Sequence, residues 1–262
     1  MTQPKLTKWF QDRGPLRTVK RNLSPVTANA ATTGRRSSPR FTLCLGGDGL
    51  ALRSWAASGK YTCLSQTIRK APLLTEEIVK KHAGSIAVAL AFPPCVDLAS
   101  AGARWWKKKR SVNPNFQADA VERLRKTERL LVASRAPYVM FTPASPLISK
   151  LFKKPRAIIS PYQFGQYLQP DFAHPTHSEV IPARDAYHKK TFLYFGNGFV
   201  FPRRKPVAPE WTKIKSRKTG KIRLVSPVFA KRKNKVQRKL SPLGFCEAVY
   251  LLHGSKEHQN NA

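Results

Sequence analysis

Hydrophobic and polar positions change texture twice along the chain. Between residues 41 and 143, short apolar runs alternate with segments of helical period. Residues 41–45 (FTLCL) are closed by Gly46-Gly47-Asp48-Gly49, which predicts a strand, a tight turn and then a helix through 50–58. Residues 61–64 predict a second strand, and 75–81 a helix with Thr75 and Glu76 at its N-terminus. Ile86–Phe92 (IAVALAF) is apolar throughout, the pattern of a strand buried on both faces of a parallel sheet. Residues 117–134 place Val121, Leu124 and Leu131 on one helical face with Arg and Lys elsewhere, and 137–141 form another strand candidate. Strands alternating with helices predict an α/β fold with helices on both faces of a parallel sheet.

Beyond Pro143 proline, aromatic and basic residues mix and the helical period fades. Residues 191–195 and 199–201 flank Gly196-Asn197-Gly198, which predicts a β-hairpin. Residues 203–239 hold fifteen Lys and Arg against one acid, Glu210, a charge run and not a core. After Ser241-Pro242, an N-cap followed by proline at the first helical position, residues 243–252 regain an apolar helical pattern. The organisation expected is a basic flexible arm (1–40), an α/β core with a short target-contacting insertion (41–202), a basic segment of low order (203–240) and a C-terminal helix returning to the core (241–262).

Charge changes this picture most. The chain has 262 residues, 48 Lys and Arg against 14 Asp and Glu, and a net charge of +34. An excess of that size opposes compaction by self-repulsion. A polyanion relieves the repulsion, and release of its condensed counterions drives binding. Nucleic acid is therefore the expected partner. No run of about 18 apolar residues is present, so no membrane partner is expected. The four cysteines, Cys44, Cys63, Cys95 and Cys246, stand far apart with no CxxC pair, which predicts neither a zinc ribbon nor a disulfide framework. No metal site is expected, His174 and His177 having no cysteine or acidic cluster beside them. Free thiols fit a reducing, intracellular setting such as the cytoplasm. Residues 1–40, rich in Arg and Ser, leave import into an organelle as an alternative.

The segment richest in chemistry is Ala91-Phe92-Pro93-Pro94-Cys95-Val96-Asp97-Leu98. It sets a cysteine just past the end of a buried strand, the edge where open α/β sheets bind ligands. Two prolines stiffen the loop, as the positioning of a nucleophile requires. A small buried cysteine in a turn is the other reading of the same spacing. A little further on, Arg104-Trp105-Trp106-Lys107-Lys108-Lys109-Arg110 offers rings that can stack on bases among cations that meet phosphates. One ring in the core and the charges on DNA is the expected division.

The stretch FPPCVDLASAGARWW (92–106) resembles the cytosine-5 DNA methyltransferases, especially short phage forms. PYQFG (161–165), ARDAYHKKT (183–191), GNGFVFP (196–202) and SPLGFCEAV (241–249) come after it in the family's order. The resemblance implies a Rossmann-like methyltransferase sheet with S-adenosylmethionine as cofactor. Gly47, Gly49 and Pro93 would lie against that cofactor. Cys95 would attack C6 of a cytosine flipped out of the helix, before methylation at C5. Arg104, Trp105, Trp106, Lys107, Lys108, Lys109, Arg184, Lys189 and Lys190 would contact DNA.

The chain also departs from the family. Ser65-Gln66-Thr67 stands where an acid would hold the cofactor ribose. Phe141-Thr142-Pro143 stands where a Glu-Asn-Val would present a carboxyl to the cytosine. Loss of one positioned acid costs about 10²–10⁴-fold in rate. Activity is therefore expected to be weakened, and two other readings stand beside it: a non-catalytic nucleic-acid-binding protein on a degenerate methyltransferase scaffold, and an organelle- or ribosome-associated RNA-binding protein. A cytidine deaminase is disfavoured, because Cys95 lacks the PCxxC spacing and no His-x-Glu precedes it.

Overall fold

A computed structural model describes residues 40–47, 49–66, 72–215, 219–230 and 240–254. The chain divides into two units, 1–37 and 38–262, and the described residues all belong to the second. The basic arm read at 1–40 thus lies outside the described residues, Arg40 apart.

Six strands form one sheet: β1 (Arg40–Gly46), β2 (Tyr61–Gln66), β3 (Ile86–Phe92), β4 (Tyr138–Pro143), β5 (Ala157–Ile159) and β6 (Thr191–Gly196), in the order β2-β1-β3-β4-β6-β5. The contacts β1–β2, β1–β3 and β3–β4 are parallel, while β6 runs antiparallel to both β4 and β5. The α/β class with a mostly parallel sheet, expected from the alternating runs, is the class observed.

Alternation along the central strands divides the core into two layers. Leu43, Leu45, Ala89, Ala91, Tyr138 and Met140 point to one side. They meet Val79 of α2 (Pro72–Lys81), Ala120, Val121, Leu124 and Leu131 of α4 (Phe116–Ala133), and Ile148 of α5 (Pro146–Leu151). Cys44, Val88, Leu90, Val139, Phe141 and Leu193 point to the other. There they meet Trp55 of α1 (Arg53–Ala57), Phe164 of the 3-10 segment Pro161–Tyr167, and Phe245 and Val249 of α7 (Leu243–His253). The strands read as wholly apolar because both their faces are covered.

Two expectations are corrected. The hairpin read at 191–201 does not form. Asn197 and Gly198 do turn the chain, with φ of +51° and +73°. β6, however, takes β4 and β5 as its partners, and Phe199 and Phe201 leave the sheet to pack in the α7-side cluster. The turn is held from outside: Asn197 Nδ2 donates to the carbonyls of Leu131 and Val132 at the end of α4, at 3.2 and 3.1 Å. The second correction concerns 203–240, read as a segment of low order. It contains a two-stranded antiparallel ribbon, β7 (Thr212–Lys215) and β8 (Ile222–Val225), followed by α6 (Pro227–Ala230). Residues 216–218 and 231–239 of the run lie outside the described residues.

Candidate functional site

The chain leaves β1 through α1 toward β2 on one side, then crosses by α2 to β3 on the other. The carboxyl ends of β1 and β3 thus flank the point where the winding reverses, the place where doubly wound sheets open a crevice. The glycine turn after β1 and the Pro93-Pro94-Cys95 loop after β3 both stand there. Gly46 and Phe92 are register partners across the two strands.

The glycine turn is conformationally demanding. Gly46, Gly47 and Gly49 have φ of +79°, +84° and +80°, a region that glycine enters without steric cost. Space is short at the first two. A Cβ on Gly46 would stand 2.6 Å from the Phe92 carbonyl oxygen, and one on Gly47 2.9 Å from the Phe92 ring. Gly49 has open space instead. The Phe92 ring stacks on Phe141 at 4.4 Å and 7° between planes, and Phe141 meets Phe245 of α7 edge-on at 5.6 Å. Three rings thus line the α7 side of the switch point. Phe141, the residue standing for the family's carboxyl, is the middle one.

Cys95 turns the other way, into the cluster shared with α4 and α5. Its thiol donates to the Pro93 carbonyl at 3.1 Å and is only 6% exposed. Burial pushes its pKa up to about 12, against a smaller downward pull from Arg123. In this geometry Cys95 is a neutral thiol at physiological pH. Its own carbonyl accepts the N–H groups of Leu98 and Ala99, at 3.1 and 2.9 Å, which coils the loop toward the next helix.

Asp97 ties this loop to two helices, a role that no motif in the sequence marks. Its carboxylate pairs with Lys109 of α3 (Trp106–Val112) and, at 3.2 Å, with Arg123 of α4. The basic aromatic patch is therefore divided. Arg104, Lys107, Lys108 and Arg110 are exposed, whereas Lys109 is engaged by Asp97. Trp105 is 51% exposed with the Arg104 guanidinium 5.2 Å from its ring centroid. Trp106 is half-buried. Of the two rings Trp106 is the more enclosed, and of the cations Lys109 alone is held in an ion pair within the described residues.

Arg184, Lys189 and Lys190 do not form one surface. Arg184 Nε donates to the Gly165 carbonyl and Lys189 Nζ to the Leu240 carbonyl, each at 3.2 Å; Lys190 is exposed. Between them sits Asp185, which no sequence pattern singles out and which is fully buried. It accepts the Gly244 N–H at the start of α7 at 3.0 Å, while Oδ1 finds no partner among the described residues. Burial raises its pKa to about 6, against the opposing pull of the Gly244 and Leu243 N–H groups, Lys189 and Arg53. Arg184 and Asp185 both have positive φ, +54° and +53°. A strained dipeptide thus delivers a carboxylate to the start of α7.

The residues fit S-adenosylmethionine only in part. The turn brings bare backbone to the switch point, but Phe92 lies over Gly47, and Ser65 and Gln66 end β2 without a carboxylate. His174 is buried with its ring 5.8 Å from that of His177, and no group of three or more His, Cys, Asp or Glu suited to a metal occurs among the described residues. No helix among them is long and apolar enough to cross a membrane. No protein-family model and no curated protein matches the chain.

Proposed function

We propose that this protein is a nucleic-acid-binding protein of the cytosine-5 methyltransferase type, with Cys95 as the nucleophile toward a cytosine of DNA. The observation that carries the reading is the convergence of the glycine turn after β1 and the Pro93-Pro94-Cys95 loop after β3 on the topological switch point of the sheet. The sequence resemblance, which runs through four further segments, supports the same reading. S-adenosylmethionine would lie along Gly47, Gly49 and Pro93, and DNA along the exposed cations beyond Cys95. A Rossmann-like methyltransferase sheet is the finer fold this reading assigns.

A second reading has its own support, namely a non-catalytic binder on the same scaffold. The ring stack of Phe92, Phe141 and Phe245 stands where a carboxyl would act, and the Cys95 thiol is buried and protonated. One experiment separates the two. The protein is incubated with S-adenosylmethionine and a duplex carrying 5-fluorocytosine, and adducts are read by mass spectrometry. An adduct present in the parent and missing in Cys95→Ala is the expected outcome. Absence of both adduct and cofactor binding, with duplex affinity retained, would assign the chain to the binder.

A further inference from the structure

The β7–β8 ribbon presents a face that no core explains. Register places Lys213 opposite Leu224 and Lys215 opposite Ile222. Trp211 is the residue just before β7 and stands at the head of the ribbon. All five side chains are exposed: Ile222 by 67%, Leu224 by 59%, Trp211 by 48%, and both lysines. On the opposite face Thr212, Ile214 and Val225 are half-buried and Arg223 is exposed. Apolar groups of that size are not left outward merely to solvate a hairpin. Between 211 and 230 the chain holds six Lys and Arg and no acid.

Trp211 is also anchored. Its ring stacks on His188 at 5.8 Å and 26°, and His188 stacks on Tyr162 at 6.0 Å and 24°. Three neighbouring segments hold this ladder by backbone hydrogen bonds. Tyr162 N–H donates to Tyr187 at 3.3 Å, Val207 N–H to Tyr162 at 2.9 Å, and Glu210 N–H to Ala186 at 2.7 Å. Burial, and then Lys190, lower the His188 pKa from its ordinary value, which favours the neutral ring. Below the ribbon, Val228 of α6 is buried with Ile181, Tyr187 and Leu240, which ties the hairpin to the same neighbourhood.

We infer that the outward face of the β7–β8 ribbon, with Trp211 at its head, binds single-stranded nucleic acid, its aromatic and aliphatic side chains taking unpaired bases and Lys213 and Lys215 the phosphates. A duplex shows a protein its phosphates and base edges, and hides its base faces. A single strand offers apolar base faces and anionic phosphates together, which matches a surface that alternates apolar groups with cations. The inference rests on the nucleic-acid half of the proposed function and not on methyl transfer.

The test uses the full chain without cofactor. Affinity is measured by fluorescence anisotropy for labelled oligodeoxythymidylate, its duplex with oligodeoxyadenylate, and oligouridylate, the last to separate DNA from RNA preference. At one salt concentration the single strands should bind more tightly than the duplex. Trp211→Ala should weaken strand binding about tenfold with an unchanged salt slope, and Trp211→Phe should restore most of it. Lys213→Ala combined with Lys215→Ala should reduce the slope of log K against log salt by about 1.4. Circular dichroism checks each variant's fold. Quenching of tryptophan emission by the strand should be smaller in Trp211→Phe than in the parent, which reads the contact while an aromatic ring is kept. Unchanged affinity in Trp211→Ala, or tighter binding to the duplex, would overturn the inference. Cys95→Ala should bind the strand as the parent does, so failure of the methyltransferase reading leaves this one standing, and the converse holds as well.

Discussion

Asp185 shows how one residue can carry more than the sequence advertises. A carboxylate beside the first N–H groups of a helix is favourable, yet here full burial outweighs that help and raises its pKa from 3.8 to about 6. The native state therefore holds its proton more tightly than the unfolded chain. Its contribution to stability is complete below pH about 4 and is lost as pH rises through about 6. A shift of that size corresponds to about 3 kcal/mol. Thermal midpoints measured between pH 4 and 7 should carry this decline, and Asp185→Asn should flatten it, since the amide oxygen can still accept the Gly244 N–H. If Asp185→Asn kept the parent's pH profile, the slope would belong to other groups. Cys95 has the same sign at alkaline pH: its raised thiol favours the native state below about 9, and that help fades as pH rises toward about 12.

At the scale of the element, the joint between β1 and β3 is the least forgiving part of the sheet. Gly46 needs a positive φ and also lies against the Phe92 carbonyl, a backbone atom that cannot turn aside. Gly46→Ala should cost about 2–4 kcal/mol, combining left-handed strain with overpacking. Gly59 makes the comparison: its φ of +67° is similar, but a Cβ there meets nothing within 4 Å. Gly59→Ala should cost only about 1–2 kcal/mol. Urea denaturation of the two variants measures the difference directly. Equal losses would mean that the contact with Phe92 relaxes freely and that the switch point is looser than its packing implies.

Across the whole molecule, charge sets opposite responses of stability and binding to salt. A net charge of +34 acts against the folded state through self-repulsion. Raising monovalent salt shortens the screening length from about 30 Å at 0.01 M to about 8 Å at 0.15 M. The thermal midpoint should therefore rise over that range. Affinity for nucleic acid, on the proposed reading, should fall steeply over the same range, because each released counterion gains less entropy as bulk salt rises. Calorimetry and anisotropy on one buffer series test both. A midpoint that is flat or falls with salt would show that internal pairs such as Asp97 with Lys109 and Arg123 already neutralise the field where it matters.

Periodicity and composition determined what is local. IAVALAF announced a strand covered on both faces and the 117–134 pattern announced α4, since each depends only on which residue types recur at which spacing; the charge in the same way is the basis of the polyanionic partner proposed above. The 191–201 hairpin failed because a glycine turn fixes a change of direction but not the next partner, and Phe199 and Phe201 found more apolar surface beside α7 than in the sheet. The ribbon at 212–225 was hidden because its exposed face mixes lysine with Ile222 and Leu224, which blurs the two-residue period into a charge run. What Cys95 faces, what Asp97 holds and how deeply Asp185 is buried were decided by tertiary packing alone. A side chain's ionisation and reach depend on the groups that crowd it, and those arrive from strands and helices remote in sequence.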